Sequence, residues 1–259
     1  MKFDYQKANI YAAAWHAFRV NKLNAAFIAL LTLLLPVVGE KFDSFFAESI
    51  APAILGILFA YFIHATILFN LDIGAKTWSA KYVGNKFLPF LMRSFIFFGF
   101  VFLASVGILL VGFSTTFSPS VGLLITQIGV VFVLLPLLGV LFSVFGTMLP
   151  AAVEGKNASF AASKARAKGL FWYTYSGLLL GPTLFTIVVV ALFYGLEKIE
   201  VTIDIFDTNG SFSPEGLIIS YILGLVSLFN TALAATVLCK TYLKSEQSTA
   251  PEEPSSAAP

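Results

Sequence analysis

The sequence has few charged residues and a single cysteine, and each shortage restricts what the chain can be. Only 12% of its 259 residues are charged, whereas about a quarter are charged in a typical soluble protein. Together with a hydrophobic content of 58%, this shortage predicts an integral membrane protein. Cys239 has no second cysteine for an intrachain disulfide, and the sequence argues against a cysteine-based metal site. We leave two interpretations of Cys239 open, an inert buried thiol and a juxtamembrane acylation site.

The sequence also lacks the motifs of familiar catalytic and metal sites. It contains no HExxH, no GxSxG, no phosphate-binding glycine loop and no cysteines at metal-ligand spacing. Its long apolar runs hold no paired carboxylates, and His64 is their only side chain that titrates near neutral pH. We therefore predict no catalytic residues, no metal, no cofactor and no nucleic-acid partner. The same shortage argues against a proton-coupled transporter, whereas a uniporter or a lipid flippase stays open.

A short basic segment between two apolar runs is the clearest landmark in the sequence. Residues 150–172 carry Lys156, Lys164, Arg166 and Lys168, and the runs on both sides are long and apolar enough to cross a bilayer. Cytoplasmic loops of membrane proteins are rich in lysine and arginine. The segment is therefore predicted to lie on the cytoplasmic side, which sets the orientation of every other span.

The apolar runs predict an all-α polytopic membrane protein with six transmembrane helices. In this arrangement all 16 lysines and arginines except Lys41 and Lys198 lie on the cytoplasmic side, so both termini are predicted there. A cleaved signal ending near Gly39 is the alternative interpretation of the first run, and it would leave an odd number of spans. We predict one membrane domain, residues 1–244, and a disordered tail, residues 245–259. The predicted spans are residues 23–39, 50–71, 87–113, 121–149, 170–196 and 217–238.

Two features of this arrangement lead to more detailed predictions. Span four is longer than the membrane requires, so we expect it to tilt or to kink at Pro136. The outer loop, residues 197–216, alternates apolar and polar residues and then reaches Asn209-Gly210, which predicts an external β-hairpin. A calcium loop is the alternative there, but Ile205 would occupy the first ligand position and Gly216 the last.

Basic and aromatic segments precede each pair of spans on the predicted cytoplasmic side. In residues 5–22, Ile10, Ala14, Trp15 and Phe18 recur at helical spacing, which predicts an amphipathic helix lying in the headgroup region. Residues 75–86 and 156–169 have a similar composition. The arrangement favours three copies of one unit, an amphipathic helix followed by a helical hairpin. The alternative is that interfacial composition alone explains similarities this short.

Small residues at helical spacing mark the faces on which helices pack in lipid, because they let two backbones approach closely. Such faces occur in spans four, five and six. Packing within one chain is the first interpretation, and homodimerisation is the alternative. The predicted packing residues are Gly122, Gly129, Gly139, Gly177, Gly181 and Gly224.

Polar side chains inside the apolar runs are few, and each is a candidate functional residue because burying it in lipid is costly. His64 and Asn230 lie at similar distances from the inner ends of spans two and six. We therefore predict a hydrogen bond between them, with a catalytic role as the alternative. Gln127 lies in the outer half of span four.

Arg93 lies inside span three, close enough to its inner end for the guanidinium to reach the headgroups. One interpretation pairs Arg93 with Glu154 or Asp72. The other is a site for an anionic lipid headgroup or a partner at the inner leaflet. That site would consist of Arg93, Lys156, Lys164, Arg166 and Lys168.

The segment from Leu149 to Trp172 contains a proline, a Glu154-Gly155 pair, an alanine-rich basic stretch and then Lys168-Gly169 followed by aromatic residues. This pattern resembles a bacterial membrane superfamily that includes YciC-like inner-membrane proteins and the membrane domain often fused to glycerophosphodiester phosphodiesterases. The resemblance implies six spans and a location in the bacterial inner membrane. It does not extend to phosphodiesterase activity, because the chain has no room for that soluble domain.

Three functions follow as hypotheses. The first is a non-enzymatic scaffold or accessory subunit of a membrane complex, or an organiser of lipid at the inner leaflet. Its expected partners are anionic lipids and either another membrane protein or a second copy of the chain. The alternative is a transporter or flippase with a cavity near His64 and Asn230. The third, an intramembrane enzyme, would require His64 to meet a nucleophile such as Ser227 or Thr231.

Overall fold

The computed structural model describes residues 2–72, 84–112, 134–198, 205 and 212–249, and the regular structure of this part of the chain is helical. Several sequence predictions lie outside the described residues. These are Gln127, Gly122, Gly129, the connector up to residue 83, nearly all of the outer hairpin, and residues 250–259 of the tail.

Helix α1, Ile10–Val20, begins where the side chain of Asn9 accepts a hydrogen bond of 2.7 Å from the amide of Ala12. This capping bond satisfies one of the free amides of the first turn. The buried face of α1 consists of Ala13, Ala14 and Ala17, and it packs against the last helix of the chain. The predicted amphipathic helix is therefore present, but its small-residue face contacts protein.

Helices α2, Lys22–Lys41, and α3, Ala51–Phe69, form a hairpin, and a π-helical turn, Phe46–Ile50, leads into α3. Near the other end of this hairpin, the buried side chain of Asn21 donates a hydrogen bond of 2.7 Å to the hydroxyl of Thr66. This bond joins the start of α2 to the end of α3. In the most apolar 18-residue stretch of the segment Phe46–Phe69, which includes α3, half of the residues are buried. This share is larger than in the other candidate spans of the described chain.

Helix α4, Gly84–Gly112, precedes α5, Leu135–Phe145, and α6, Met148–Glu154. The axes of α5 and α6 differ by 42°. The bend lies at Gly146 and Thr147. The kink expected at Pro136 stays a prediction, because Pro136 lies in the first turn of α5 and the chain directly before residue 134 lies outside the described residues.

The second half of the chain contains α7, Phe160–Ala167, α8, Phe171–Leu178, and α9, Leu184–Lys198; a π-helical turn, Leu179–Thr183, joins α8 to α9. Helix α10, Pro214–Thr249, has 36 residues and is therefore about 54 Å long. A hydrocarbon core is about 30 Å thick, so α10 continues well beyond it. Residues 245–249, which the sequence assigned to a disordered tail, form the last turn of this helix.

Within the described residues, five helical segments are long and apolar enough to cross a membrane: Lys22–Lys41, Phe46–Phe69, Lys86–Ala104, Phe171–Leu192 and Pro214–Ser248. The bent pair α5 and α6 would provide a sixth span. The described part of the chain is therefore all-α, and its apolar helices indicate a membrane-embedded protein. Aromatic side chains of α3 and α4, including Phe59, Tyr61, Phe62 and Phe90, are fully buried and form much of the core.

Gly39 provides a test of the α2–α3 hairpin. A Cβ atom on Gly39 would lie 2.6 Å from the backbone nitrogen of Glu48, so the two segments would have to separate. We expect Gly39→Ala to lower the free energy of unfolding by about 1–3 kcal/mol, the usual cost of overpacking. The measurement is thermal unfolding of the detergent-solubilised protein.

Gly56→Ala is the matched control for Gly39→Ala. Gly56 lies inside α3, and a Cβ atom there would meet nothing within 4 Å. Because alanine is the better helix former, this substitution should leave stability unchanged or raise it by up to about 1 kcal/mol. Equal effects of the two substitutions would contradict the close approach at Gly39.

Candidate functional site

Polar contacts join one end of the helices, which we call the polar end. Three hydrogen bonds define it. The side chain of Asn70 donates to the carbonyl of Phe3 at 3.0 Å, and Lys86 Nζ donates to the carbonyl of Glu154 at 3.4 Å. Lys240 Nζ donates to the carbonyl of Tyr5 at 2.9 Å. The polar end therefore brings together segments that the sequence placed on the cytoplasmic side, while the side itself stays a prediction.

Two of the predicted site cations meet one carboxylate at the polar end. Lys156 Nζ lies 2.8 Å from Glu246 Oε2, and Arg166 Nε lies 3.2 Å from Glu246 Oε1. Lys156 also lies 3.4 Å from Glu154 Oε2. The hydrogen bond to Glu246 raises the pKa of the Lys156 ammonium. We call Lys156, Arg166, Glu154 and Glu246 the ion-pair cluster; its two positive and two negative charges balance.

Tyr242 holds the ion-pair cluster together from α10. Its hydroxyl donates a short hydrogen bond to the carboxylate of Glu154. The Arg166 guanidinium lies 5.2 Å from the centre of the Tyr242 ring, and Lys156 Nζ lies 5.9 Å from it. Both separations are within the range of cation–π attraction. The Nη2 atom of Arg166 donates to the carbonyl of Asn157 at 2.8 Å, whereas Nη1 is buried without a hydrogen-bond partner among the described residues.

The other two lysines of the predicted site, Lys164 and Lys168, face outward. Both side chains are exposed, and no carboxylate of the described chain forms an ion pair with either. Large apolar side chains lie beside them in the sequence and are exposed too, Phe160 and above all Trp172, which is 74% exposed. We call Phe160, Lys164, Lys168 and Trp172 the outer patch.

Arg93 does not form the predicted ion pair with Glu154. Its Nε donates to the carbonyl of Ala158 and its Nη1 to the carbonyl of Pro89, both at 2.9 Å. Glu154 instead accepts from Tyr242 and pairs with Lys156. The physical reason is that the Arg93 guanidinium reaches two backbone carbonyls, one of them in its own helix. The Glu154 carboxylate, in turn, is occupied by donors that lie closer to it, Tyr242 and Lys156.

The predicted hydrogen bond between His64 and Asn230 is wrong. His64 Nδ1 lies 2.9 Å from Cys239 Sγ, and the side chain of Asn230 donates to the hydroxyl of Thr186 at 2.9 Å. Asn230 and Cys239 are nine residues apart on α10, which is about 13 Å along the axis, so one side chain of α3 cannot reach both.

Cys239 is fully buried, which favours the inert thiol over the acylation site.

The contacts of His64 differ from those that the intramembrane enzyme hypothesis requires with Ser227 or Thr231. The ring of His64 is buried against Phe90 at 5.5 Å between centroids, and its bonded partner is Cys239. The hydroxyl of Thr231, one of the suggested nucleophiles, donates to the carbonyl of Ser227 in its own helix.

Lys240 is the residue whose structure differs most from its sequence prediction, since the charge pattern indicates only one more cytoplasmic cation. Its side chain is buried, with only 7% of the residue exposed. Its Nζ donates to the carbonyls of Tyr5, Gln6 and Ala8 at 2.9, 2.7 and 2.7 Å. An ammonium has three donors, and all three are used. The sequence gives no clear signal of this, because only the structure shows that Thr236, four residues earlier on the same face of α10, is buried.

The first residues of the chain, 2–9, form a strap across the polar end. Besides Lys240, the strap is held by His16 of α1: the Tyr5 hydroxyl lies 2.8 Å from His16 Nδ1, and the Phe3 ring stacks on the imidazole at 4.0 Å. Burial, with a smaller contribution from the charge of Arg19, lowers the pKa of His16. Burial likewise raises the pKa of Tyr5. The strap therefore favours a neutral imidazole that accepts from Tyr5.

The predicted packing glycines that the structure describes lie at contacts between helices. A Cβ atom would lie 3.0 Å from Tyr175 at Gly139 and 3.0 Å from Val237 at Gly177. At Gly181 and Gly224 the nearest atoms belong to Ile10 and Ala29, at 3.6 and 3.5 Å. All four neighbours are in the same chain, so these contacts describe packing within one molecule.

Comparison of the chain with family models, with curated proteins and with solved structures finds no match. The resemblance of residues 149–172 to the YciC-like superfamily therefore stays a prediction.

Removing the ammonium of Lys240 should release the strap. Lys240→Met keeps most of the apolar stem but loses three hydrogen bonds, and one bond to a charged group contributes about 1.5–3 kcal/mol. We expect faster tryptic cleavage after Lys7 in detergent and a lower melting temperature. Lys244→Met is the control, because Lys244 is exposed one turn further along α10. Cleavage that is equally fast in both variants would contradict a specific role for Lys240.

The strap also gives the protein a pH dependence. Because the folded pKa of His16 lies below its ordinary value of 6.5, the fold favours the neutral ring. Its contribution to stability is complete above the ordinary pKa and is lost as the pH falls below it. Between about pH 7.5 and pH 5, a window around that reference value, the melting temperature should therefore fall more for the natural protein than for His16→Phe. This variant keeps a ring to stack on Phe3 but cannot be protonated. Parallel curves would overturn the assignment.

Proposed function

We propose that this chain is a non-enzymatic integral membrane protein that organises anionic lipid at the inner leaflet. It would lie in a bacterial inner membrane with both termini in the cytoplasm, as the basic segments and the family resemblance imply. The observation that carries the proposal is the outer patch, where two lysines without described acidic partners lie beside exposed aromatic side chains.

The chemistry of the outer patch fits the membrane interface. A lysine near an anionic leaflet contributes about 1 kcal/mol of attraction, and tryptophan prefers the headgroup level because its ring is apolar and its N–H is polar. Lys168 directly follows the end of α7 and Trp172 lies at the start of α8, from which the apolar segment Phe171–Leu192 runs into the predicted membrane. Lysines so placed would meet lipid phosphates, while the Trp172 ring lies at the headgroup level.

The interior contacts support a role without chemistry or transport. The carboxylates of Glu154 and Glu246 are paired with Lys156, Arg166 and Tyr242, and His64 is bonded to Cys239. The ring of His64 is buried and packs against the ring of Phe90. This packing argues against the alternative of a transport cavity between His64 and Asn230.

The test is lipid retention. We expect Lys164→Gln with Lys168→Gln to lose bound anionic lipid when the protein is extracted from native membranes in mild detergent, with lipids counted by mass spectrometry. Losing two attractions of about 1 kcal/mol each corresponds to a fall of roughly tenfold or more in affinity.

Two control variants make this test specific. Lys164→Arg with Lys168→Arg keeps both charges and should retain the lipid. Lys41→Gln removes an exposed charge at the end of α2 that lies away from the polar end, and it should not change the amount of bound anionic lipid. Unchanged lipid in the double glutamine variant would contradict the proposal, and a stoichiometric protein that leaves with the chain instead of lipid would favour a scaffold.

A further inference from the structure

The ion-pair cluster contains an unusual arrangement, in which one carboxylate bridges two cations from different parts of the chain. We propose that Lys156 and Arg166 form a binding site for a phosphate group, and that Glu246 closes this site by occupying it within the same chain. The inference deepens the proposed function, since a lipid phosphate is one source of the ligand; a soluble phosphoester is the other.

Glu246 occupies the position between Lys156 and Arg166 that a bound anion would take. Lys156 Nζ and Arg166 Nε each contact a different oxygen of Glu246, at 2.8 and 3.2 Å. A phosphate group presents at least as many acceptor oxygens as a carboxylate, and arginine binds both groups through the same planar fork. A phosphate could therefore take over both contacts without rearrangement of the two cations.

Arg166 is held in place before any ligand binds. Its Nη2 is anchored on the carbonyl of Asn157, its guanidinium faces the ring of Tyr242, and its side chain is only 12% exposed. Glu246 leaves the buried Nη1 without a partner among the described residues, and an unsatisfied buried donor is costly. The N–H groups of Nη1 point away from the side on which Nε–H meets Glu246, so a phosphate that replaces Glu246 at Nε leaves Nη1 for a separate acceptor.

Glu246 is in a position to leave. It lies in the last turn of α10, which ends at Thr249, and its side chain is 31% exposed. Terminal turns of helices open at little cost, because their last carbonyls have no partner within the helix. The preceding turn is anchored by Lys240 in the strap and by Tyr242 on Glu154. Opening would therefore involve the final turn, and it would also break the hydrogen bond of 2.8 Å that the side chain of Gln247 donates to the side chain of Gln6 in the strap.

Glu154 stays beside Lys156 and sets a limit on the ligand. Its charge, 3.4 Å from Lys156 Nζ, opposes any anion that approaches Lys156 alone. Binding must therefore use Arg166, the cation that has no contact with Glu154 in the described chain. This arrangement favours a compact phosphate that reaches both cations over a diffuse negative surface.

The test replaces the closing carboxylate. Glu246→Gln removes its charge at nearly constant shape, and the affinity for a phosphate ligand should rise about fivefold, because partly exposed ion pairs contribute up to about 1 kcal/mol. The probes are short-chain phosphatidic acid and inorganic phosphate, titrated into the detergent-solubilised protein and followed by thermal shift. Glu215→Gln is the matched control, because Glu215 is an exposed glutamate in the first turn of the same helix.

A gain in Glu246→Gln for phosphatidic acid alone identifies a lipid headgroup, and a gain for inorganic phosphate identifies a soluble phosphoester; either supports the inference. Equal affinities of Glu246→Gln, Glu215→Gln and the natural protein for both probes would overturn it. Adding Arg166→Met to Glu246→Gln should abolish the gain.

A measurement on the natural protein covers the case in which Glu246→Gln fails to fold. Saturating phosphatidic acid or phosphate should increase hydrogen exchange in residues 246–249 and leave the rest of α10 protected; an unchanged last turn with both probes would count against the inference.

The lysine variants of the outer patch separate the two proposals. Retained lipid in those variants, together with a gain in Glu246→Gln, would reject only the lipid role of the outer patch.

Discussion

The burial of charged and polar groups at the polar end is the constraint on which the rest of the structure depends. Lys240 shows it most clearly, since an ammonium removed from water must have all of its donors satisfied. The backbone carbonyls of Tyr5, Gln6 and Ala8 do this. The first residues of the chain are thereby held against its last helix. The strap, α1 and α10 then form one packed unit, with Ala13, Ala14 and Ala17 allowing the close approach of α1.

Helix α10 distributes its polar side chains over two faces. Lys240 faces the strap, while Tyr242 and Glu246, four residues apart, share the face that meets Glu154, Lys156 and Arg166. The strap and the segment that carries Glu154, Lys156 and Arg166 are therefore both bound by residues 240–246, about two turns of α10. This is possible because α10 is longer than the hydrocarbon core requires, so its last turns are free to make polar contacts.

The cations of the polar end consequently fall into two groups with different physical roles. Arg93, Lys156, Arg166 and Lys240 bond to carbonyls and carboxylates of the chain and contribute to its structure. Lys164 and Lys168 are exposed beside Phe160 and Trp172 and can meet other molecules. The proposed phosphate site lies at the boundary between the groups, because its cations are occupied by a carboxylate from a helix end.

The sequence by itself determined the membrane class and the main helices, because apolar length and the spacing of small residues are local properties. It could also place Lys86, Lys156 and Lys240 at a common end, since charge follows the sides of a membrane. It could not determine the pairings. Glu246 contacts Lys156 and Arg166 across 90 and 80 residues, and His64 meets Cys239 rather than Asn230 across 175. Such partners depend on how each helix is rotated and shifted against its neighbours, and only the packed tertiary structure decides that.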